Sequence, residues 1–66
     1  MQVTINGETQ QLCPSSTVND LVESLSLDPK KIALERNGEI VPRSTYADVL
    51  VNEGDQIEIV QFIGGG

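Results

Sequence analysis

Apolar and polar residues alternate from the first position: Met1, Val3 and Ile5 share one face, Gln2 and Thr4 the other, and the run meets Asn6-Gly7. Strict alternation marks a strand with one buried face, and Asn-Gly tolerates the positive φ angles of a two-residue hairpin turn. The pattern predicts a first hairpin whose return strand runs from Thr9 to Cys13, stopped by Pro14 and the turn-forming Ser15-Ser16. The period then changes. Val18, Leu21, Val22 and Leu25 follow helical spacing behind Thr17, a good capping residue, with Asp20 placing negative charge in the first turn. One short amphipathic helix is expected, ending near Leu27 because Asp28 precedes Pro29.

Alternation returns from Ile32 to Arg36 and runs into a second Asn-Gly pair, Asn37-Gly38, followed by the brief apolar pair Ile40-Val41 and by Pro42. A second hairpin with a short edge strand follows from this. Between Ser44 and Asn52, the residues Tyr46, Val49 and Leu50 are expected to tuck a helical turn under the sheet. Gly54-Asp55 makes the last turn, and the final strand runs from Gln56 to Phe62. Its period of two sets Ile57 and Ile59 against Glu58, Val60 and Phe62. The order strand, strand, helix, strand, short strand, strand, joined by short connections, predicts an α+β fold of the β-grasp type. A mixed sheet of four to five strands would pack on one helix, with the first and last strands parallel in its middle. Residues 1–63 form this domain and residues 64–66 a flexible tail; no repeat, linker or second domain is read.

Composition narrows the chemistry. At 66 residues and 38% apolar content the core must be small, and a single cysteine can form neither an internal disulfide nor a cysteine-rich zinc site. A reducing, cytoplasmic setting is expected. Ten acidic against four basic residues give a net charge of -6, which disfavours nucleic acid and anionic membranes and favours a basic protein partner. No run is long and apolar enough to span a bilayer. Without histidine there is no base for a Ser, Thr or Cys nucleophile, and no metal-ligand or phosphate-loop spacing occurs.

What remains is the tail. Gly64-Gly65-Gly66 adds nothing to a core and carries the largest backbone entropy of any sequence, so its presence asks for a reason other than stability. The group at its end is the Gly66 carboxylate, ionised at neutral pH. A carboxylate can attack the α-phosphorus of ATP to form an acyl adenylate, which a persulfide can then convert to a thiocarboxylate. Lacking Cβ atoms, Gly64 and Gly65 can thread a narrow channel in a partner enzyme and set Gly66 against the nucleotide.

The segments Asn37-Gly38-Glu39-Ile40-Val41-Pro42-Arg43 and Gly54-Asp55-Gln56-Ile57-Glu58-Ile59, with the final Gly65-Gly66, resemble the ThiS family, the sulfur carriers of thiamine biosynthesis. The resemblance covers nearly the whole chain and implies a ubiquitin-like β-grasp. It further implies adenylylation of Gly66 by an E1-like adenylyltransferase that uses ATP, sulfur from a persulfide enzyme, and delivery to thiazole synthase; the chain itself binds no cofactor and no metal and is a co-substrate rather than an enzyme. Two features depart from the family pattern: Tyr46 stands where tryptophan is frequent, and three glycines end the chain in place of a pair. The small subunit of molybdopterin synthase shares the same tail chemistry, a ubiquitin-like protein modifier would instead join Gly66 to a lysine of another protein through an isopeptide bond, and an interaction domain with an inert tail is the third alternative.

Individual residues sharpen these expectations. Val60 and Phe62 form a partner-docking patch if the isoleucine face of the last strand meets the helix; the competing reading covers them with loop residues such as Tyr46. Cys13 reads as a buried or half-buried structural thiol, Arg43 as a solvated charge or a contact for an acidic partner group. The acidic residues, Asp20, Asp28, Glu53 and Asp55 among them, read as a soluble surface.

Overall fold

In the computed structural model, which describes residues 1–62, both Asn-Gly pairs adopt the geometry their chemistry dictates. Asn6 and Gly7 have φ of 50° and 82°, Asn37 and Gly38 of 52° and 85°. Positive φ at both central positions is the type I′ turn, whose twist matches that of the strands it joins. A Cβ at Gly7 or Gly38 would meet nothing within 4 Å, so glycine stands there for its backbone freedom alone.

The first turn joins β1 (Gln2–Ile5) to β2 (Glu8–Gln11), and the second joins β3 (Ile32–Arg36) to β4 (Glu39–Ile40). β5 (Gln56–Gln61) lies between the hairpins, parallel to β1 and antiparallel to β3, giving the order β2-β1-β5-β3-β4. The last strand is thus the centre of the sheet. β2 ends two residues earlier than the alternation predicts.

A seven-residue helix, α1 (Val18–Ser24), crosses one face. Thr17 caps it in a capping box: its Oγ1 accepts from the Asp20 amide at 3.1 Å, and the Asp20 carboxylate accepts from the Thr17 amide at 2.9 Å. Asp20 is therefore a structural group rather than mere surface charge. The helix stops short of Leu27 because Ser26 turns left-handed, with φ of 58°. The Ser26 amide donates to Glu23 O at 3.0 Å and the Leu27 amide to Val22 O at 3.2 Å, the bond pair of a Schellman C-cap. That position favours glycine. Ser26→Gly is expected to stabilise the fold by roughly 0.5–1 kcal/mol, read as a higher midpoint in thermal unfolding.

The core is the seam between helix and sheet. Val18, Leu21 and Val22 of α1 meet Val3, Ile5, Ile32, Leu34, Ile57 and Ile59, and Val41, Tyr46 and Val51 close one end. Tyr46 fills that end as the sequence predicts; burial pushes its hydroxyl above the ordinary tyrosine range, with the Arg43 charge working against the shift. A 3-10 turn at Arg43–Thr45 delivers it there, and a second at Pro29–Lys31 leads into β3. Leu50 departs from expectation: it is exposed, and Val51 is buried in its place. The chain is extended at this point, with Leu50 bridged to Thr17, so neighbouring side chains point in opposite directions.

Candidate functional site

Because the isoleucines of β5 face the helix, its other side chains form the open face of the sheet. Val60 is 61% and Phe62 53% exposed, so both side chains point outward and Tyr46 does not cover them. The register carries the patch sideways. Ala33 pairs with Val60, Glu35 with Glu58, and Glu35 with Ile40, which is also exposed. Apolar Val60, Phe62 and Ile40 thus flank two carboxylates set directly opposite each other across β3 and β5. Like charges in such a cross-strand pair destabilise a sheet, and among the described residues the single salt bridge, Arg36 to Asp55, lies elsewhere. The sequence reading did not find this acidic pair, because only the β3–β5 register brings Glu35 and Glu58 together.

The strand that carries this face is fixed on both flanks by the hairpin asparagines. The backbone ladder between β1 and β5 has its last paired residues at Ile5 and Ile57. Asn6 continues it with its side chain, accepting from the Ile59 amide at 2.8 Å and donating to Ile59 O at 3.2 Å. On the other flank the Asn37 amide donates to Gln56 O at 2.7 Å, and its side-chain oxygen accepts from the Gln56 amide at 2.9 Å. The Phe62 amide donates to Lys31 O at 2.8 Å, which holds β5 to its end.

Asp55 anchors the start of β5 and corrects its reading as surface charge, for it is only 6% exposed. Its carboxylate accepts from Arg36 Nε at 2.7 Å, the Asn52 amide at 2.8 Å and Asn37 Nδ2 at 3.0 Å. Burial raises the carboxyl pKa, but the Arg36 hydrogen bond and charge, with the Asn52 and Asn37 donors, outweigh it and leave the group below the ordinary aspartate value. Other acidic groups also act on backbone: Glu53 accepts from the Gln2 amide and Asp28 from the Lys30 amide.

The remaining expectations separate. Gly64, Gly65 and Gly66 lie outside the described residues. Cys13 is exposed, contrary to expectation, because the period of two that turns Gln10 and Leu12 inward turns Thr9, Gln11 and Cys13 outward. Arg43 donates to Pro29 O at 2.8 Å and Lys30 O at 3.4 Å, tying its loop to the entry of β3. Among the described residues no cluster of metal-ligating side chains occurs, and no helix is long and apolar enough to cross a membrane.

Two hairpins around a central last strand, with one helix laid across, define the ubiquitin-like β-grasp. The crystal structure of the thiamine biosynthesis protein (ThiS) from Geobacter metallireducens matches this chain with a TM-score of 0.85 at 30% identity, covering 100% of both chains. The ThiS family model matches residues 3–66, and the chain belongs to the ThiS family. It is 39% identical to the sulfur carrier protein ThiS of Escherichia coli over 100% of both chains. It is also 54% identical over 66 residues to a thiazole synthase of Paramagnetospirillum magneticum and 44% identical to one of Magnetococcus marinus, in each case spanning 100% of this chain but 20% of the relative's length.

Proposed function

We propose that this chain is a cytoplasmic sulfur carrier of thiamine biosynthesis and that Gly66 carries the sulfur. The observation that supports it most is the end-to-end likeness to the E. coli sulfur carrier, at 39% identity with neither chain left over. The thiazole synthases that contain a segment like this one support thiazole synthase as the enzyme it serves. Physical tethering of donor to acceptor raises their effective concentration, and a separate carrier must achieve the same by docking.

In this reading an E1-like adenylyltransferase binds the open face of the sheet at Val60 and Phe62 and draws Gly64 and Gly65 into its channel. The Gly66 carboxylate displaces pyrophosphate from ATP, forming the acyl adenylate. The outer sulfur of a donor persulfide attacks the adenylate and displaces AMP, leaving an acyl disulfide, and a thiol then attacks the donor's own cysteine sulfur, forming a disulfide with it and releasing the thiocarboxylate. The chain supplies the reacting end and catalyses none of these steps. Its net charge of -6 and the Glu35–Glu58 pair favour a cationic docking surface on the enzyme.

The test is the intact mass of the 66-residue polypeptide after incubation with the activating enzyme, ATP and a persulfide donor. Exchange of one oxygen for sulfur, mapped by fragmentation to Gly66, is the expected result. Conjugates to lysines of other proteins, or no adduct while another carrier is activated, would overturn it. Phe62→Ala is expected to lower kcat/KM for adenylylation about tenfold without a change in the unfolding midpoint, as truncating a docking anchor costs at least about 1 kcal/mol. Glu58→Gln should separate fold from function. It is expected to stabilise the sheet by about 0.2–1 kcal/mol through loss of the like-charge pair, while slowing activation at low salt.

A further inference from the structure

The two edges of the sheet are finished differently. β4 is two residues long and runs through Val41 into Pro42, which leaves little to pair with. β2 is an open edge. Met1 and Leu12 exchange both backbone bonds, at 2.8 and 2.9 Å, so by alternation the amides and carbonyls of Gln10 and Glu8 face β1 and those of Thr9 and Gln11 face away from it. Among the described residues no strand pairs with that side. β2 carries no lysine, proline or bulge, the usual guards of such an edge.

Beside this edge lies a groove of about 560 Å³ between β2 and α1, with Ile5, Leu12, Leu21 and Leu25 in its lining and Gln11 and Asp20 among its polar members. Charge selects what fits there. Residues 1–29, which build β1, β2 and α1, hold four acidic residues, Glu8, Asp20, Glu23 and Asp28, and no lysine or arginine; all four basic side chains belong to residues 30–43. We propose that the β2 edge and its groove form a second docking surface, which takes an extended basic segment of a partner protein as a sixth strand. Backbone bonds to Thr9 and Gln11 fix the segment, its alternate apolar side chains enter the groove over Leu12 and Leu25, and its cations meet Asp20 in the lining and the acidic balance of residues 1–29. This surface is separate from Val60 and Phe62, so a partner held here leaves that part of the sheet face free. The inference does not depend on the sulfur-carrier reading.

The experiment is a titration of the ¹⁵N-labelled chain with a nine-residue peptide alternating lysine and valine, and with its glutamate-for-lysine counterpart as control. Saturable shifts are expected at Thr9, Gln11 and the Leu21–Leu25 amides, with at least fivefold slower hydrogen exchange at Thr9 and Gln11. The affinity should fall severalfold between 50 and 300 mM salt, and the glutamate peptide should not bind. Gln11→Pro removes a donor that the β1 ladder does not use, so it is expected to keep the fold and abolish the shifts. Diffuse shifts at acidic residues without protection at Thr9 and Gln11, or equal binding by Gln11→Pro, would overturn the proposal. So would concentration-dependent shifts along β2 without peptide, which would assign the edge to a second copy of this chain.

Discussion

Deleting Gly65 and Gly66 is expected to abolish activation, lowering adenylate formation by more than about a thousandfold, while the unfolding midpoint stays within about 1 °C. The deletion leaves the same kind of nucleophile, a glycine carboxylate, now on Gly64. What changes is reach: two extended residues span about 7 Å. A nucleophile must approach its target to about 3–3.5 Å, and a misplacement of 1 Å already costs on the order of a hundredfold. The fold is expected to tolerate the loss because, among the described residues, the buried apolar side chains run from Val3 to Ile59. Measuring ATP–pyrophosphate exchange with each length of chain separates the arguments. Full exchange after the deletion would place the reacting group elsewhere; exchange lost together with the unfolding transition would give the tail a structural role instead.

How much of this architecture is legible in the sequence depends on how local each determinant is. The Asn-Gly turns, the Thr17 cap and the outward Val60 and Phe62 follow from neighbours within a few residues, and they stand in the structure as the pattern predicts. Ser26 is different: its left-handed geometry shortens the helix, yet serine gives no signal for it. Cys13 and Leu50 show the cost of counting composition without phase, since each is displaced by one position from the buried parity. The pairings that organise the site are nonlocal. Asn6 reaches Ile59 across 53 positions, and Glu35 meets Glu58 only through the β3–β5 register. Asn-Gly predicts the turn; it does not reveal that each asparagine then spends its side chain on the strand leading to Gly66.

Asp55, buried by contacts that reach it from Arg36, Asn37 and Asn52, is the sharpest case. Asp55→Asn is expected to destabilise the fold by about 2–3 kcal/mol at pH 7, since hydrogen bonds to a charged group contribute about 1.5–3 kcal/mol and Arg36, about a quarter exposed, can recover some hydration. For a chain of this size that lowers the midpoint by roughly 10–20 °C. The substitution cannot satisfy its surroundings: Arg36 Nε, the Asn52 amide and Asn37 Nδ2 are all donors, and an amide must turn its NH₂ toward at least one of them. The pH dependence carries a definite sign. The folded-state pKa of Asp55 lies below its unfolded value of about 3.9, so the stabilisation is fully present above that value and is lost as pH falls through the folded pKa. The gap between the native chain and Asp55→Asn should therefore be constant from pH 6 to 7 and narrow below about pH 4, as read from urea midpoints. A gap that does not change down to pH 2 would mean that shape rather than charge holds the β5 entry. Because Asp55 sits at the opposite end of β5 from Phe62, the folded variant at low temperature should keep the kcat/KM of the native chain for adenylylation. A matching loss there would show that the anchored start of the strand governs how its far end is presented.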